Sequence, residues 1–388
     1  MSDSGSKAKS TRSTKAADDV TPMVVAEPTA GDGDGDQVLV VDELTVSFPT
    51  DDGVVQAVRG VSFGLSKGEV LGIVGESGSG KSVTSLAVMG LLPKSATVTG
   101  SVRVHGHELL GRSDADMSKL RGKEIAMIFQ DPMTSLNPVY SIGKQLAEAV
   151  RAHQDVTRHE AWDRAVDLLD LVAIPQPKDR ARQYPHEFSG GMRQRVVIAM
   201  AMANDPDVII ADEPTTALDV TVQAQILKAL EQAQAETGAA MILITHDLGV
   251  VAGQADRVLV MYAGKPVEIG PVDDIYSDPR MPYTIGLLGS LPRMDTALPQ
   301  RLTPITGSPP SLINLPPGCP FTPRCPRAEA ICEVQEPGLV VTTSSAHRAA
   351  CHFARELGDV EAHQLFEAET LDQGALNVLF TNDPRAGA

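Results

Sequence analysis

Residues 75–82 read Gly75-Glu76-Ser77-Gly78-Ser79-Gly80-Lys81-Ser82 and fit the pattern G-x-x-x-x-G-K-S/T. Glycines in such a run let the backbone wrap closely around a phosphate with its N–H groups pointing inward. A helix opening at Lys81 turns its positive N-terminal end toward the same anion. In that setting Lys81 would reach the β- and γ-phosphates and Ser82 would ligate Mg2+. Val83, next along, joins the same ATP-binding set.

Four more polar positions stand at the ends of apolar runs. Asp212 ends Val208–Ala211, where a carboxylate can hold Mg2+ through water. Glu213 follows, on the opposite side of the strand end, and is placed to polarise an attacking water. His246 follows Met241–Thr245 and would bond the γ-phosphate while orienting Glu213 and the water. Gln130 follows Ile125–Phe129 and would add to the Mg2+ and water shell. Phe48 would stack on adenine or, equally, fill the core. The chemistry is ATP hydrolysis with Mg2+: Glu213, His246 and Gln130 catalytic, and Ser82, Gln130 and Asp212 around the metal.

These residues need a sheet to present them. Short apolar runs (Val70–Val74, Ile125–Phe129, Val208–Ala211, Met241–Thr245, Val258–Met261) alternate with helical patterns, which predicts an α/β fold with a largely parallel sheet. Residues 137–188 are helical in pattern and interrupt the strand series as an inserted subdomain. Order is expected from Gln37, with the ATPase domain over 37–270. From 271 to 355 proline becomes dense, which excludes long helices and central strands and marks a separate small unit. Residues 1–36 are expected to be disordered, and 356–388 to form an acidic tail.

The formal net charge is −17, and more than half of that excess falls in the two ends, so nothing global points to nucleic acid. No apolar run approaches the ~18–20 residues that span a bilayer, and the N-terminus lacks the apolar segment of a signal peptide. The body is expected to be cytoplasmic, any membrane link coming through a partner. Asp32, Asp34, Asp36 and Glu43 match four positions of a calcium loop, but Gln37 stands where that loop needs glycine, so calcium is not expected.

Four cysteines, Cys319, Cys325, Cys332 and Cys351, lie in the Pro-rich segment. Four thiolates suit a 4Fe–4S cluster or a zinc site. Tight Cys pairs of the zinc kind are missing, and loose spacing in an irregular wrap fits the cluster better; cysteines without metal are the third option. His347 and His352 flank the last cysteine as possible substitutes, with the surface as their ordinary place. A metal here would fix the fold of the small unit.

Ser189-Gly190-Gly191-Met192, followed by Arg193-Gln194-Arg195, resembles the signature of ABC ATPases, with Phe188 and Met192 where Leu and Gln are commonest. With Thr216-Ala217-Leu218-Asp219 and His246, the chain is identified as a member of that class over residues 37–270: a P-loop ABC nucleotide-binding domain with an inserted helical subdomain and a small Pro/Cys-rich C-terminal domain. The resemblance implies a head-to-tail dimer in which Ser189, Gly190, Gly191 and Met192 close on ATP held by the other subunit and Asp219 links the two sites. Gln130-Asp131-Pro132-Met133-Thr134-Ser135-Leu136-Asn137-Pro138 and Tyr184-Pro185-His186-Glu187-Phe188 look like peptide and nickel importers. Gly307-Ser308-Pro309-Pro310 and Gly318-Cys319-Pro320-Phe321-Thr322-Pro323-Arg324-Cys325 are similar to the C-terminal extension of oligopeptide/dipeptide permease ATPases, and Met192 fits their D-type member.

That family implies peptide import, a second, non-identical ATPase, two transmembrane permeases, an extracytoplasmic peptide-binding protein, a place on the cytoplasmic face of the membrane, and a 4Fe–4S cluster on the four cysteines. The rival within the class is the same engine serving nickel or another small solute. Outside it stand a non-transport ABC ATPase and a nucleotide-binding regulator. The 107 residues between Lys81 and Ser189 leave no room for the coiled coils of repair types, and one cassette per chain argues against ribosomal types.

Overall fold

Two sheets share the molecule. The computed structural model describes residues 37–216, 219–291, 304–358, 360 and 362–366. The expectations for residues 1–36, for the acidic positions 32, 34 and 36 and for residues 367–388 lie outside these, as do Ala217 and Leu218.

The first sheet is antiparallel. Strands β1 (Gln37–Thr50) and β2 (Gly53–Ser66) form a hairpin about a two-residue turn. After β3 (Val70–Val74), β4 (Thr97–Val104) and the short β5 (His107–Glu108) complete the order β2-β1-β4-β5. The sequence reading, tuned to short apolar runs, did not foresee this sheet. Register shifts along β1, one of them between Val41 and Leu44, break the strict alternation that would have flagged it.

The second sheet carries the chemistry. Strands β6 (Ile125–Ile128), β7 (Val208–Asp212), β8 (Ala240–Ile244), β9 (Arg257–Tyr262) and β10 (Lys265–Pro271) join β3, β11 (Val340–Val341) and β12 (Arg348–Ala349) in the order β11-β12-β10-β9-β3-β8-β7-β6. The five strands from β9 to β6 are parallel, as the apolar runs predicted. Parallel strands are buried on both faces, and alternate residues show it. Leu71, Ile73, Ile125, Met127, Val208 and Ile210 pack into a core with the first sheet and the helix Lys81–Val88. Val70, Val74, Ala126, Ile128, Ile209 and Ala211 face a second core under the remaining helices.

The helical insertion is built from Ile142–Arg151, Arg158–Leu171 and Pro177–Arg180. The second of these begins at a capping box: Glu160 N–H donates to Thr157 Oγ1 at 3.3 Å, and Thr157 N–H to Glu160 Oε2 at 2.8 Å.

The C-terminal extension adds strands to the main sheet and residues to its core. β12 pairs with β10, and fully buried Phe321 sits in the same core as the strands. Within the segment expected to be an acidic tail, Leu357, Leu365 and Phe366 are buried and contribute to that core. Three apolar residues scattered among carboxylates carry too little pattern to announce this. His347, expected near the surface, is fully buried, its Nε2 lying 2.8 Å from the equally buried Glu268 Oε1.

Candidate active site

The phosphate loop leaves the end of β3 and enters the helix Lys81–Val88. Gly75 has φ 148°, and a Cβ there would lie 2.3 Å from the Met261 carbonyl oxygen. Gly80 has φ 104°, and its Cβ would meet the Ala57 carbonyl at 2.5 Å. Only glycine fits either place. Lys81 is buried, and its Nζ donates to the carbonyls of Gly75 at 2.8 Å and Glu76 at 3.0 Å. Burial lowers its pKa from the ordinary lysine value, opposed by the charges of Glu213, Asp212 and Glu76. The buried Ser79 hydroxyl has no protein partner among the described residues.

Parallel pairing brings the remaining groups to the same edge. Asp212 ends β7, and Ser82 Oγ donates to its Oδ1 at 3.0 Å. Burial raises the Asp212 pKa, with the Ser82 hydrogen bond opposing and the Glu213 charge adding. A hydroxyl and a carboxylate touching beside a phosphate loop are the oxygen donors Mg2+ prefers.

Glu213 sits at φ 47°, a left-handed conformation unusual for glutamate. Its Oε2 accepts from Gln130 Nε2 at 3.1 Å and from Thr216 Oγ1 at 2.8 Å, and His246 Nδ1 lies 3.6 Å away. The structure therefore gathers Gln130, Glu213 and His246 at one point. It adds Thr216, which the sequence reading held only as part of a motif. Phe48 lies on β1, partly buried against the core shared by the two sheets.

The signature residues stand elsewhere. Ser189 caps the helix Gly190–Ala201, its hydroxyl accepting from Met192 N–H at 3.4 Å, and Ser189 and Gly190 are exposed. A Cβ on Gly191 would strike Val222 Cγ1 at 2.4 Å, so glycine permits the close approach of the helix Val220–Thr237. Asp219 caps that second helix, with Val222 N–H donating to Oδ1 at 3.0 Å.

The four cysteines are unpaired thiols lining a single pocket with Phe321, Met281 and His352. Burial pushes the Cys325 thiol up to about 11 and Cys351 up to about 12, and raises Cys319 as well. Cys332 is buried and the other three are partly buried around this one pocket. Among the described residues, no set of three or more His, Cys, Asp or Glu side chains is placed to hold a metal ion. His347 is committed to Glu268, and His352 Nε2 lies 2.9 Å from the Gln335 carbonyl.

Residues 58–216 match the family described as ABC transporter, and residues 267–332 match the oligopeptide/dipeptide transporter C-terminal region. The chain is 59% identical to the oligopeptide transport ATP-binding protein OppD of Mycobacterium tuberculosis over 81% of its own length, spanning 51% of that protein. It is 55% identical to the dipeptide transport ATP-binding protein DppD of Bacillus subtilis, covering 81% of this chain and 94% of that one. It is 52% identical to OppD of Escherichia coli, covering 78% and 89%. Among solved structures, the ATP-binding cassette MJ0796, a dimer in a post-hydrolysis state bound to ADP and Pi, superposes with a TM-score of 0.54 at 25% identity, covering 60% of this chain and 98% of that one. CbiO1 from Clostridium perfringens, part of the transporter complex cbiONQ, gives 0.54 at 29%, covering 62% and 91%. The chain thus spans about half the length of its mycobacterial relatives and nearly all of the Bacillus one. Phosphate loop, signature helix and Pro/Cys-rich extension agree with this kinship: the chain belongs to the oligopeptide/dipeptide transport ATP-binding proteins of the ABC transporter family.

Proposed function

We propose that this chain binds and hydrolyses ATP to drive the import of oligopeptides or dipeptides through a membrane permease. The observation that carries the reading is the convergence of Gln130, Thr216 and His246 on one carboxylate oxygen of Glu213 beside the phosphate loop. The buried, unpartnered Ser79 hydroxyl and the inward Lys81 fit a bound triphosphate.

In this reading the backbone of residues 75–83 cradles the phosphates, and Phe48 stacks on adenine. Lys81 exchanges its carbonyl partners for phosphate oxygens. Mg2+ held by Ser82, Asp212 and Gln130 would neutralise charge developing on the phosphates. Glu213 accepts the proton of the attacking water, and Thr216, Gln130 and His246 hold its carboxylate in place. Ser189–Met192 would close on the nucleotide of a second, non-identical ATPase, with Asp219 at the interface. The position of Ser189 at an exposed helix N-terminus supports this.

Two permease subunits and an extracytoplasmic peptide-binding protein complete the assembly, with this chain on the cytoplasmic face. Among the described residues no helix is long and apolar enough to cross a membrane, and Met133, Val139 and Tyr140 are exposed, offering an apolar surface to such a partner. Cys319, Cys325, Cys332 and Cys351 would hold a 4Fe–4S cluster, whose bonds to thiolate would tie the extension together. Its test is iron and acid-labile sulfide in anaerobically purified protein beside Cys325→Ser.

The test of function is turnover in the reconstituted complex with and without peptide. Glu213→Gln should bind ATP yet lose on the order of 10²–10⁴ in rate. Stimulation by nickel and not by peptide would move the assignment to the metal-importing branch. Turnover indifferent to both would remove the importer reading.

A further inference from the structure

Glu76, the second residue of the phosphate loop, is held by residues from far down the chain. Its carboxylate forms a two-pronged ion pair with Arg324, Nη1 to Oε2 at 2.7 Å and Nη2 to Oε1 at 2.8 Å. Its backbone N–H donates to the Tyr283 hydroxyl at 2.8 Å. Both anchors are rigidly seated. The Arg324 side chain is 4% exposed, its Nε donates to the Thr306 carbonyl at 3.1 Å, and its guanidinium lies 5.8 Å from the Phe321 ring centre. Tyr283 packs on Tyr262 at 4.6 Å and Phe321 at 5.5 Å between ring centres.

Lys81 closes the circuit, because its two carbonyl partners belong to Gly75 and Glu76. A shift of Glu76 therefore moves the peptide units that seat the lysine. We infer that Arg324 is a positioning residue for the phosphate loop, so that the C-terminal extension forms part of the nucleotide site. The inference rests on the ATPase reading and adds to it a structural dependence of ATP affinity on the extension.

A planar guanidinium fork matches a carboxylate in a way an ammonium does not. Arg324→Met leaves Glu76 without its clamp, Arg324→Lys keeps charge without the fork, and Glu76→Gln removes the ion pair from the loop side while leaving the extension intact. The clamp acts on the loop and touches no reacting atom, so KM should rise while kcat falls less.

The experiment measures the Kd of a fluorescent N-methylanthraniloyl ATP on the full chain, with KM and kcat for ATP alongside. Arg324→Met and Glu76→Gln should each weaken binding on the order of 10-fold, the double variant no further, and Arg324→Lys should recover part of the loss. Losses that multiply in the double variant, or a Kd unchanged in Glu76→Gln, would overturn the inference. Binding is read without turnover, so a chain that binds the analogue but hydrolyses nothing would sink the functional reading and leave this one standing.

Discussion

Replacing His347 by alanine should loosen the C-terminal extension from the main sheet. His347 Nε2 and Glu268 Oε1 are 2.8 Å apart, and both side chains are fully buried. Glu268 also accepts from the backbone N–H groups of Arg280 and Met281, the latter at 3.2 Å, so it ties three segments together. Without the imidazole the carboxylate keeps only those two protein donors. Breaking a buried pair of this kind by removing one member typically costs about 3–5 kcal/mol. The pairing Glu268↔Ala349 and Ile269↔Arg348 sits beside the lesion, so β12 should detach first. Urea denaturation of the full chain gives the stability change, and the rate of tryptic cleavage after Arg348 reports the local opening. Glu268→Gln, which keeps the shape and an Oε1 acceptor for the Arg280 N–H and the imidazole but gives up the acceptor of the longer Met281 bond, should cost less. A His347→Ala variant within 1 kcal/mol of the parent, uncleaved at Arg348, would refute the reasoning.

Thr216→Ala removes the 2.8 Å hydrogen bond to Glu213 and should slow ATP turnover about tenfold, the equivalent of one hydrogen bond to a charged group, with KM little changed. Gly75→Ala forces a Cβ against the Met261 carbonyl, so equilibrium dialysis should find ATP binding lost in a chain whose circular dichroism remains native. Thr157→Ala breaks the capping box of the helical insertion and should lower stability by about 0.5–2 kcal/mol in urea titration, leaving nucleotide affinity unchanged.

Residues whose chemistry depends on local spacing were legible in the sequence. The phosphate loop announces itself because two glycines, a lysine and a serine must stand in a fixed order between a strand and a helix. Asp212, Glu213 and His246 followed because parallel strands deliver their ends to a common edge. What stayed hidden depends on distant pairing. Nothing near Glu76 distinguishes it from any other variable position of the motif, since its partners lie at 283 and 324. His347 reads as a surface histidine until β12 is laid beside β10 and its ring meets Glu268. The left-handed backbone of Glu213, one residue past the end of β7, has no sequence signature.

The clamp on the phosphate loop sets an order of events in synthesis. Glu76 and Arg324 are 248 residues apart, and a ribosome adding about 5–20 residues per second needs roughly 12–50 s to bridge that interval. Throughout it the loop emerges before the tyrosine and arginine that brace it, and β12, at the far side of the same sheet, comes later still. The nascent ATP site thus passes through a long interval in which its glycine-rich loop is built but unsupported. Full seating of the loop waits until Arg324 has left the ribosome.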